Sequence, residues 1–559
     1  MSTPYKLLSV ALLSVSATAY GLPVVEESQR FLDKPALPDS HQNAPVLPSP
    51  APATENSSST ASTSLFLLKK INLQGNSLFS KEQLAEIIKP YENRQVSADD
   101  LRQLRQDLTQ FYLKQGYLNS GAILPKQDIK NGELQVQIIE GKLTELHIEG
   151  LSWLHDSYVR PRIAANPEKP LNVKDLQENL QLLQQNPLIK RIHAELTPGL
   201  QMGTASLNAK IEENRPYFLT LGTSNNGVPS VGAERFEAWG GHRDLLGLGD
   251  SVIANVNQSE GQTQYGVEYS IPLNRFDTSF NVHYANSEAD VVEKPFNQLN
   301  IFNQSESIAI GISQPLWRTI ENQITIGLTA EHRHSAAFLS GQQYSFSRGS
   351  VDGVSNVSAL RFSQEWLNHT DKRVIALRSV ANWGVNALDA TIHKNSNLPD
   401  GEYFFWLGQG QWIQRLWQTG MELHLQSNLQ LASDSLLSVE QYALGGMNSV
   451  RGYRKNQVVH DSGFASSLEL RIPLFDKQLG DGVLHLAPFF DIGRAWSAGN
   501  NNSPATTLSS VGIGVHIDPN KQWHLECYWA QALKTVQTTG TDSQDSGIYF
   551  AVNYSPFNN

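Results

Sequence analysis

The chain has 559 residues, 40% hydrophobic and 17% charged, with 40 glycines, a balance that excludes global disorder. Its net charge of -11, from 43 Lys and Arg against 54 Asp and Glu, has the wrong sign for a phosphate-binding surface and excludes nucleic acid as a partner class. Mean hydropathy is -0.34, and beyond the N-terminus no apolar run approaches the ~18 to 20 residues of a spanning helix. This excludes a helical membrane protein but leaves open a β-barrel, whose alternating strands average to a polar hydropathy.

Lys6 is followed by an apolar stretch from Leu7 to Val15 and then by Ala17-Thr18-Ala19, the n-region, h-region and A-x-A cleavage site of a signal peptide covering residues 1–19. The chain is therefore expected to be exported. Cys527 is the single cysteine, so neither an intramolecular disulfide nor a thiolate metal cluster can form. Within residues 20–34, Val24 to Leu32 suits a short helix. Residues 35–64 are crowded with Pro, Ala, Ser and Thr, which predicts a tether that is part extended and part flexible.

Residues 65–142 read as a small α+β domain. Phe66 to Leu73 predicts a strand, Ser80-Lys81-Glu82-Gln83 a capping box opening a helix that Pro90 stops, and Ser97 the start of a second helix carrying Leu101, Leu104, Leu108 and Phe111 on one face. Gly116 ends that helix, and strands follow at Ala122–Leu124 and Leu134–Ile138. Residues 143–214 repeat the pattern, so two tandem copies of one fold are present. A duplicated small domain favours a binding module over an enzyme.

From 215 to 559 strand alternation dominates. Tyr265, Val267, Tyr269 and Ile271 interleave with Gly266, Glu268 and Ser270; Ile308, Ile310 and Ile312 interleave with Ala309 and Gly311. A soluble sandwich and a membrane barrel share this pattern. Export and length favour the barrel, because at ~10 residues per membrane strand plus turns the region accommodates roughly 16 strands. Tyr217, Trp317, Trp406, Trp412 and Trp523 lie near predicted strand ends, where they suit an interfacial girdle. The expected fold class is mainly β, a C-terminal transmembrane antiparallel β-barrel of about 16 strands preceded by two small α+β domains.

Gly116-Tyr117, Ser120, Leu124-Pro125, Gln127-Asp128-Ile129, Gly132, Leu134 and Glu140-Gly141 resemble the signature of the first POTRA domain of two-partner secretion transporters of the hemolysin secretion/activation type. Leu246-Gly247-Leu248-Gly249-Asp250 resembles an early barrel motif of that family. Val450-Arg451-Gly452-Tyr453 resembles the tip of its sixth extracellular loop, and Phe489-Phe490-Asp491-Ile492-Gly493 its F-x-D-x-G strand motif. One departure is visible: such barrels commonly finish on an aromatic residue, whereas Phe557 is followed by Asn558-Asn559.

The resemblance implies an outer-membrane pore that recognises a large unfolded exoprotein through its POTRA domains and passes it to the cell surface. The exoprotein would carry an N-terminal secretion domain, and the barrel-assembly machinery would insert the pore among the outer-membrane lipids. It also implies that Arg451 reaches into the lumen and pairs with Asp491. By strand parity Asp491 shares the face of Phe489 and Gly493, and a wet lumen would screen the pair. Val450, Gly452, Tyr453 and Gly493 complete the expected pore-loop set; Gly116, Tyr117, Leu124, Pro125, Gln127 and Asp128 form the expected recognition set. Residues 20–34 resemble the family's plug helix. Neither a cofactor nor a metal is expected, and no catalytic residue.

Three other functions compete. A barrel-protein insertase of the same superfamily would share the loop and strand motifs. A diffusion porin has no need of two binding domains. An enzyme finds little support: the His pair in Glu331-His332-Arg333-His334 reads as a solvated turn, and Gly408-Gln409-Gly410 lies in a strand-like context without the helix of a nucleotide loop.

Overall fold

The computed structural model describes residues 65–557 apart from 130, 165, 167, 395–396, 418–419, 480–481, 500–503 and 539–541. The expected signal peptide, plug helix and tether lie outside the described residues. The chain divides into two units after Arg215.

The N-terminal unit holds two α+β domains. The first has strands β1 (Phe66–Leu68), β2 (Lys70–Gln74), β3 (Arg94–Val96), β4 (Gly121–Ile123) and β5 (Glu133–Ile139). A sheet of order β2-β5-β4 is covered by helices Lys81–Ile88 and Ala98–Lys114, while β1 and β3 form a separate two-stranded pair. Both helices open on capping boxes, at Ser80 with Gln83 and at Ser97 with Asp100. Each box satisfies two backbone N–H groups that a helix start leaves without intrahelical partners. Leu104, Leu108 and Tyr112 recur at four-residue spacing on the second helix and pack on Leu134, Val136 and Ile138 of β5. Burial, with the Glu140 carboxylate beside it, pushes the Tyr112 phenol well above its ordinary pKa.

The second domain has β6 (Lys142–Glu149), helices Asp156–Ile163 and Val173–Gln184, β7 (Ile189–Pro198) and β8 (Thr204–Glu213). Its sheet order β6-β8-β7 repeats that of the first, with the first strand parallel to the last. Leu176, Leu180 and Leu183 pack over Leu207, Ala209 and Ile211. The domains are joined by backbone bonds from Val173 N to the Gly116 carbonyl at 2.9 Å and from Leu171 N to the Gly141 carbonyl at 2.7 Å.

The C-terminal unit is a closed antiparallel barrel of 16 strands. In chain order they are β9 (Tyr217–Ser224), β10 (Arg235–His242), β11 (Ser251–Ser259), β12 (Gln262–Pro272), β13 (Ser279–Asp290), β14 (Ile301–Arg318), β15 (Asn322–Leu339) with its two-residue extension β16 (Gln342–Gln343), β17 (Val354–His369), β18 (Arg373–Gly384), β19 (Phe404–Leu416) and β20 (Met421–Ala432). A loop hairpin, β21 (Tyr442–Leu444) and β22 (Val458–His460), intervenes before β23 (Ser462–Leu479), β24 (Gly482–Trp496), β25 (Thr506–Asn520), β26 (Trp523–Ala532) and β27 (Ile548–Tyr554). Pairing of β27 with β9, from Ala551 opposite Ser224 to Tyr554 opposite Leu221, closes the ring and leaves no open edge.

Polarity is inverted relative to a soluble protein. Val267, Ile308, Ile310, Ile312, Leu328, Leu360, Leu377, Val511 and Ile513 are exposed on the outside, while Ser305, Ser307, Asn428, Gln430, Glu469, Asp491 and His516 are buried inside. An apolar exterior of this extent on alternating strands is stable only against lipid. Tyr217, Trp317 and Trp523 are likewise exposed, whereas Trp406 and Trp412 are half-buried. Cys527 is exposed on the outer face with Trp529. Three-residue turns join β14 to β15 and β17 to β18 at one rim; long connections at 340–353, 385–403 and 433–461 crowd the other.

The Leu246–Asp250 motif forms the turn between β10 and β11. Buried Asp250 accepts from Leu246 N at 2.8 Å and from the Tyr269 hydroxyl at 3.1 Å. Those bonds tie the turn to β12.

Candidate functional site

The loop between β20 and β23 folds back into the barrel. Its hairpin pairs Tyr442 with His460 and Leu444 with Val458, and its tip carries Val450, Arg451, Gly452 and Tyr453. Val450, Arg451 and Tyr453 are buried. Gly452 has φ +89, the left-handed region that disfavours a side chain, and a Cβ there would meet Ala532 N at 3.2 Å.

Arg451 is fully engaged. Its Nε and Nη2 donate to the two Asp491 carboxylate oxygens at 2.8 and 2.9 Å, and its backbone N–H donates to Oδ2 at 3.0 Å. Nη1 donates to Glu469 at 2.7 Å and Nη2 to the Ser467 hydroxyl at 2.8 Å. The guanidinium carbon stands 3.4 Å from the Phe489 ring centroid and 4.7 Å from that of Tyr528, so aromatic faces complete its cage. Asp491 is 0% exposed and Arg451 4%. A screened pair in a wet lumen, as parity and pore size alone suggest, is therefore not what forms: the loop itself excludes water from the pair. Removing one partner of a buried pair costs ~3 to 5 kcal/mol because the other charge is stranded.

The rest of the tip is held as firmly. Gly452 N donates to the Tyr549 hydroxyl at 2.9 Å, and that hydroxyl donates to the Tyr453 carbonyl at 2.6 Å. The Tyr453 hydroxyl lies against the Ser509 and Lys534 carbonyls. Arg454 makes a bidentate contact with Asp545, both bonds at 2.6 Å, and a third with Glu293 at 2.6 Å. The loop is thus fixed to β24, β25, β27 and the loops that follow β13 and β26.

A second buried cluster clamps the loop's ascending arm. Glu440, in the loop segment Ser438–Glu440, accepts from Arg333 of β15 at 2.8 Å and from Arg361 of β17 at 2.9 Å. Glu331 bridges the same two arginines, bonding Arg333 and, at 2.6 Å, Arg361. The Glu331–His334 stretch is consequently no solvated turn. It lies within β15, with Glu331 and Arg333 turned into the lumen and buried. Gly408, Gln409 and Gly410 lie within β19.

In the first α+β domain, Leu124, Pro125, Gln127 and Asp128 line a shallow groove with Leu101, Ile129 and Leu134. Gly116 and Tyr117 are elsewhere, at the end of helix Ala98–Lys114, where Tyr117 packs edge-on against Phe79. The Gln127 side chain donates to the Gln135 carbonyl at 2.7 Å and accepts from its N–H at 2.8 Å. It imitates a neighbouring strand just where β4, which covers only Gln137 to Ile139, leaves off.

Sequence reasoning missed Glu469, Arg454, Asp545, Glu293 and the four-charge cluster. Glu469 had a signal, a lone acid between Leu468 and Leu470 in an alternating strand. Arg454 and Glu440 had none, since their partners are fixed by loop path alone.

A closed barrel with an apolar belt, a loop bonded into its lumen and two α+β domains ahead of it define a POTRA-bearing outer-membrane transporter. The family model described as haemolysin secretion/activation protein ShlB/FhaC/HecB matches residues 203–517, and that of the ShlB-type POTRA domain matches residues 66–141. The chain belongs to the ShlB/FhaC/HecB family of two-partner secretion transporters, and its POTRA domains are periplasmic. It is 22% identical to the outer membrane transporter CdiB of Dickeya dadantii (strain 3937) over 464 residues, covering 81% of this chain and 80% of that one. It is also 22% identical to the hemolysin transporter protein ShlB of Serratia marcescens over 513 residues, covering 89% and 86%. Among solved structures, CdiB from Escherichia coli superposes with TM-score 0.69 at 18% identity, covering 99% of each chain. CdiB from Acinetobacter baumannii gives 0.63 at 16% identity, covering 97% of this chain and 99% of that one.

Proposed function

We propose that this transporter carries one large, unfolded exoprotein with an N-terminal secretion domain from the periplasm to the cell surface, and that seating of the 433–461 loop is its resting state. The observation that carries the reading is Arg451, caged by Asp491, Glu469, Ser467 and two aromatic rings inside a 16-strand barrel. A lumen of that strand number is wide enough to be aqueous and must be filled when idle. The chain acts as a passage and not as an enzyme, sits among outer-membrane lipids and enters them through the barrel-assembly machinery. Relatives are named as hemolysin and heme/hemopexin transporters, and the cargo here is a secreted protein of that kind.

Recognition falls to the POTRA domains by strand addition, where backbone hydrogen bonds supply affinity and side-chain pockets supply choice. The Gln127–Gln135 contact marks a place for it. An extended segment of the exoprotein would displace the Gln127 amide, pair with β5, and lay side chains into the groove of Leu101, Leu124 and Pro125. Deleting residues 65–214 should abolish export while leaving a heat-modifiable barrel in the outer membrane. Undiminished export would overturn the recognition role.

A further inference from the structure

Below the loop tip the lumen holds a cavity of 810 Å³ whose wall includes His524 and Glu526 of β26, Asp518 of β25 and Tyr528. His516 of β25 is directly opposite Glu526 in the strand register, and His524 shares the inward face two residues before Glu526. One ligand atom from each of His516, His524 and Glu526 lies within 4.8 Å of the others. We propose that these three residues bind a divalent transition-metal ion of the zinc class.

The hydrogen bonding around the two imidazoles supports the assignment. His524 Nδ1 is 2.6 Å from the Asp518 carboxylate. An ionised carboxylate only accepts, so Nδ1 carries a hydrogen, and Nε2, facing Glu526 Oε2 at 4.0 Å, is the nitrogen left for a ligand. His516 Nε2 is 3.0 Å from the Tyr528 hydroxyl and 3.4 Å from Glu469. Its Nδ1 is buried with no hydrogen-bond partner and faces the same Glu526 oxygen at 3.8 Å. His516 is 2% exposed, and a buried polar atom left unsatisfied is costly. Each ring thus has one nitrogen engaged by an outer group, His524 by the Asp518 carboxylate and His516 by the Tyr528 hydroxyl, and the other directed at Glu526, an arrangement that orients imidazoles in metal sites.

Ligands at ~2.0 to 2.2 Å from tetrahedral zinc lie roughly 3.3 to 3.5 Å apart. The observed separations are 3.8 and 4.0 Å from the two imidazoles to Glu526, with all three ligand atoms within 4.8 Å of one another. Two imidazoles with one carboxylate suit zinc, nickel or copper and not calcium or magnesium, which prefer oxygen. Three protein ligands leave a coordination position open to the cavity. Local spacing hides the site, because His516 and Glu526 meet only across the β25–β26 pairing. Glu469 touches both His516 and Arg451, so the site and the loop latch share one carboxylate.

The test is calorimetric titration of untagged, chelator-treated full-length protein in detergent with zinc chloride. We expect one ion per chain. His524→Ala and Glu526→Gln should each weaken binding at least tenfold, and the positioning variant Asp518→Asn by 10- to 100-fold. His332→Ala, on another wall of the barrel, should bind as the parent does. Heat-modifiable mobility verifies the fold of each variant, and Glu526→Gln with Asp518→Asn suffice should His524→Ala fail to assemble. No stoichiometric binding by the parent, equal affinity in Glu526→Gln, or calcium binding as tightly as zinc would each overturn the proposal.

Discussion

Gly493 of β24 lies directly against Val450 of the loop tip: a methyl group added at Gly493 would stand 3.0 Å from Val450 Cγ2 and 2.4 Å from Leu444 Cδ1. The strand needs a glycine there because the loop occupies the space a side chain would fill. Gly493→Val should unseat the loop without disturbing the lipid face. Cells producing this variant should become sensitive to a large hydrophilic antibiotic that the intact outer membrane excludes. Unchanged resistance would show that the loop does not fill the pore.

Arg451→Ala strands Asp491 in a buried site and leaves Glu469 with Arg471 alone as its arginine partner, at 2.9 Å, for a cost of ~3 to 5 kcal/mol. Limited proteolysis of the 433–461 loop in detergent should accelerate markedly. Reversing both charges, Arg451→Asp with Asp491→Arg, should not restore protection, because the new carboxylate would face Glu469. Adding Glu469→Gln to the swap should recover part of it. Full rescue by the simple swap would mean that Glu469 contributes nothing.

Glu440→Ala removes the acceptor shared by Arg333 and Arg361. It leaves buried Arg333 and half-buried Arg361 against the single carboxylate of Glu331. The thermal transition of the barrel in detergent should fall, and Arg361→Met together with Glu440→Met should fall less than either single change. Additive losses would argue against a coupled cluster.

In the first POTRA domain, Ser97→Ala should cost ~1 kcal/mol in urea denaturation of a soluble 65–214 fragment at neutral pH. The Ser97 backbone N–H, then its hydroxyl, hold the Asp100 carboxylate below its ordinary pKa. A depressed carboxylate contributes stability above its unfolded pKa and loses it as pH falls through the folded value. The parent should therefore lose stability on acidification more than Asp100→Asn does. Parallel pH profiles would contradict the capping role.

The barrel is legible in the sequence because lipid outside and water inside force strict alternation, as at Ile308, Ile310 and Ile312 against Ser305 and Ser307. Helix starts are equally legible, since Ser80 and Ser97 act on residues three positions away. What eluded the sequence was long-range pairing. Glu331 and Arg333 look solvated in isolation, and only the path of the loop brings Glu440 onto them. The burial of the Arg451–Asp491 pair escaped for the same reason, because parity fixes which way Asp491 faces but not what covers it.

The central claim is that the 433–461 loop closes a lipid-embedded lumen. Single-channel recording in planar bilayers of the full chain beside a variant lacking residues 443–458 tests it most directly. The account predicts small, flickering conductance for the full chain and a large, steady conductance for the deletion. Equal conductance in the two, or none in either, would contradict it.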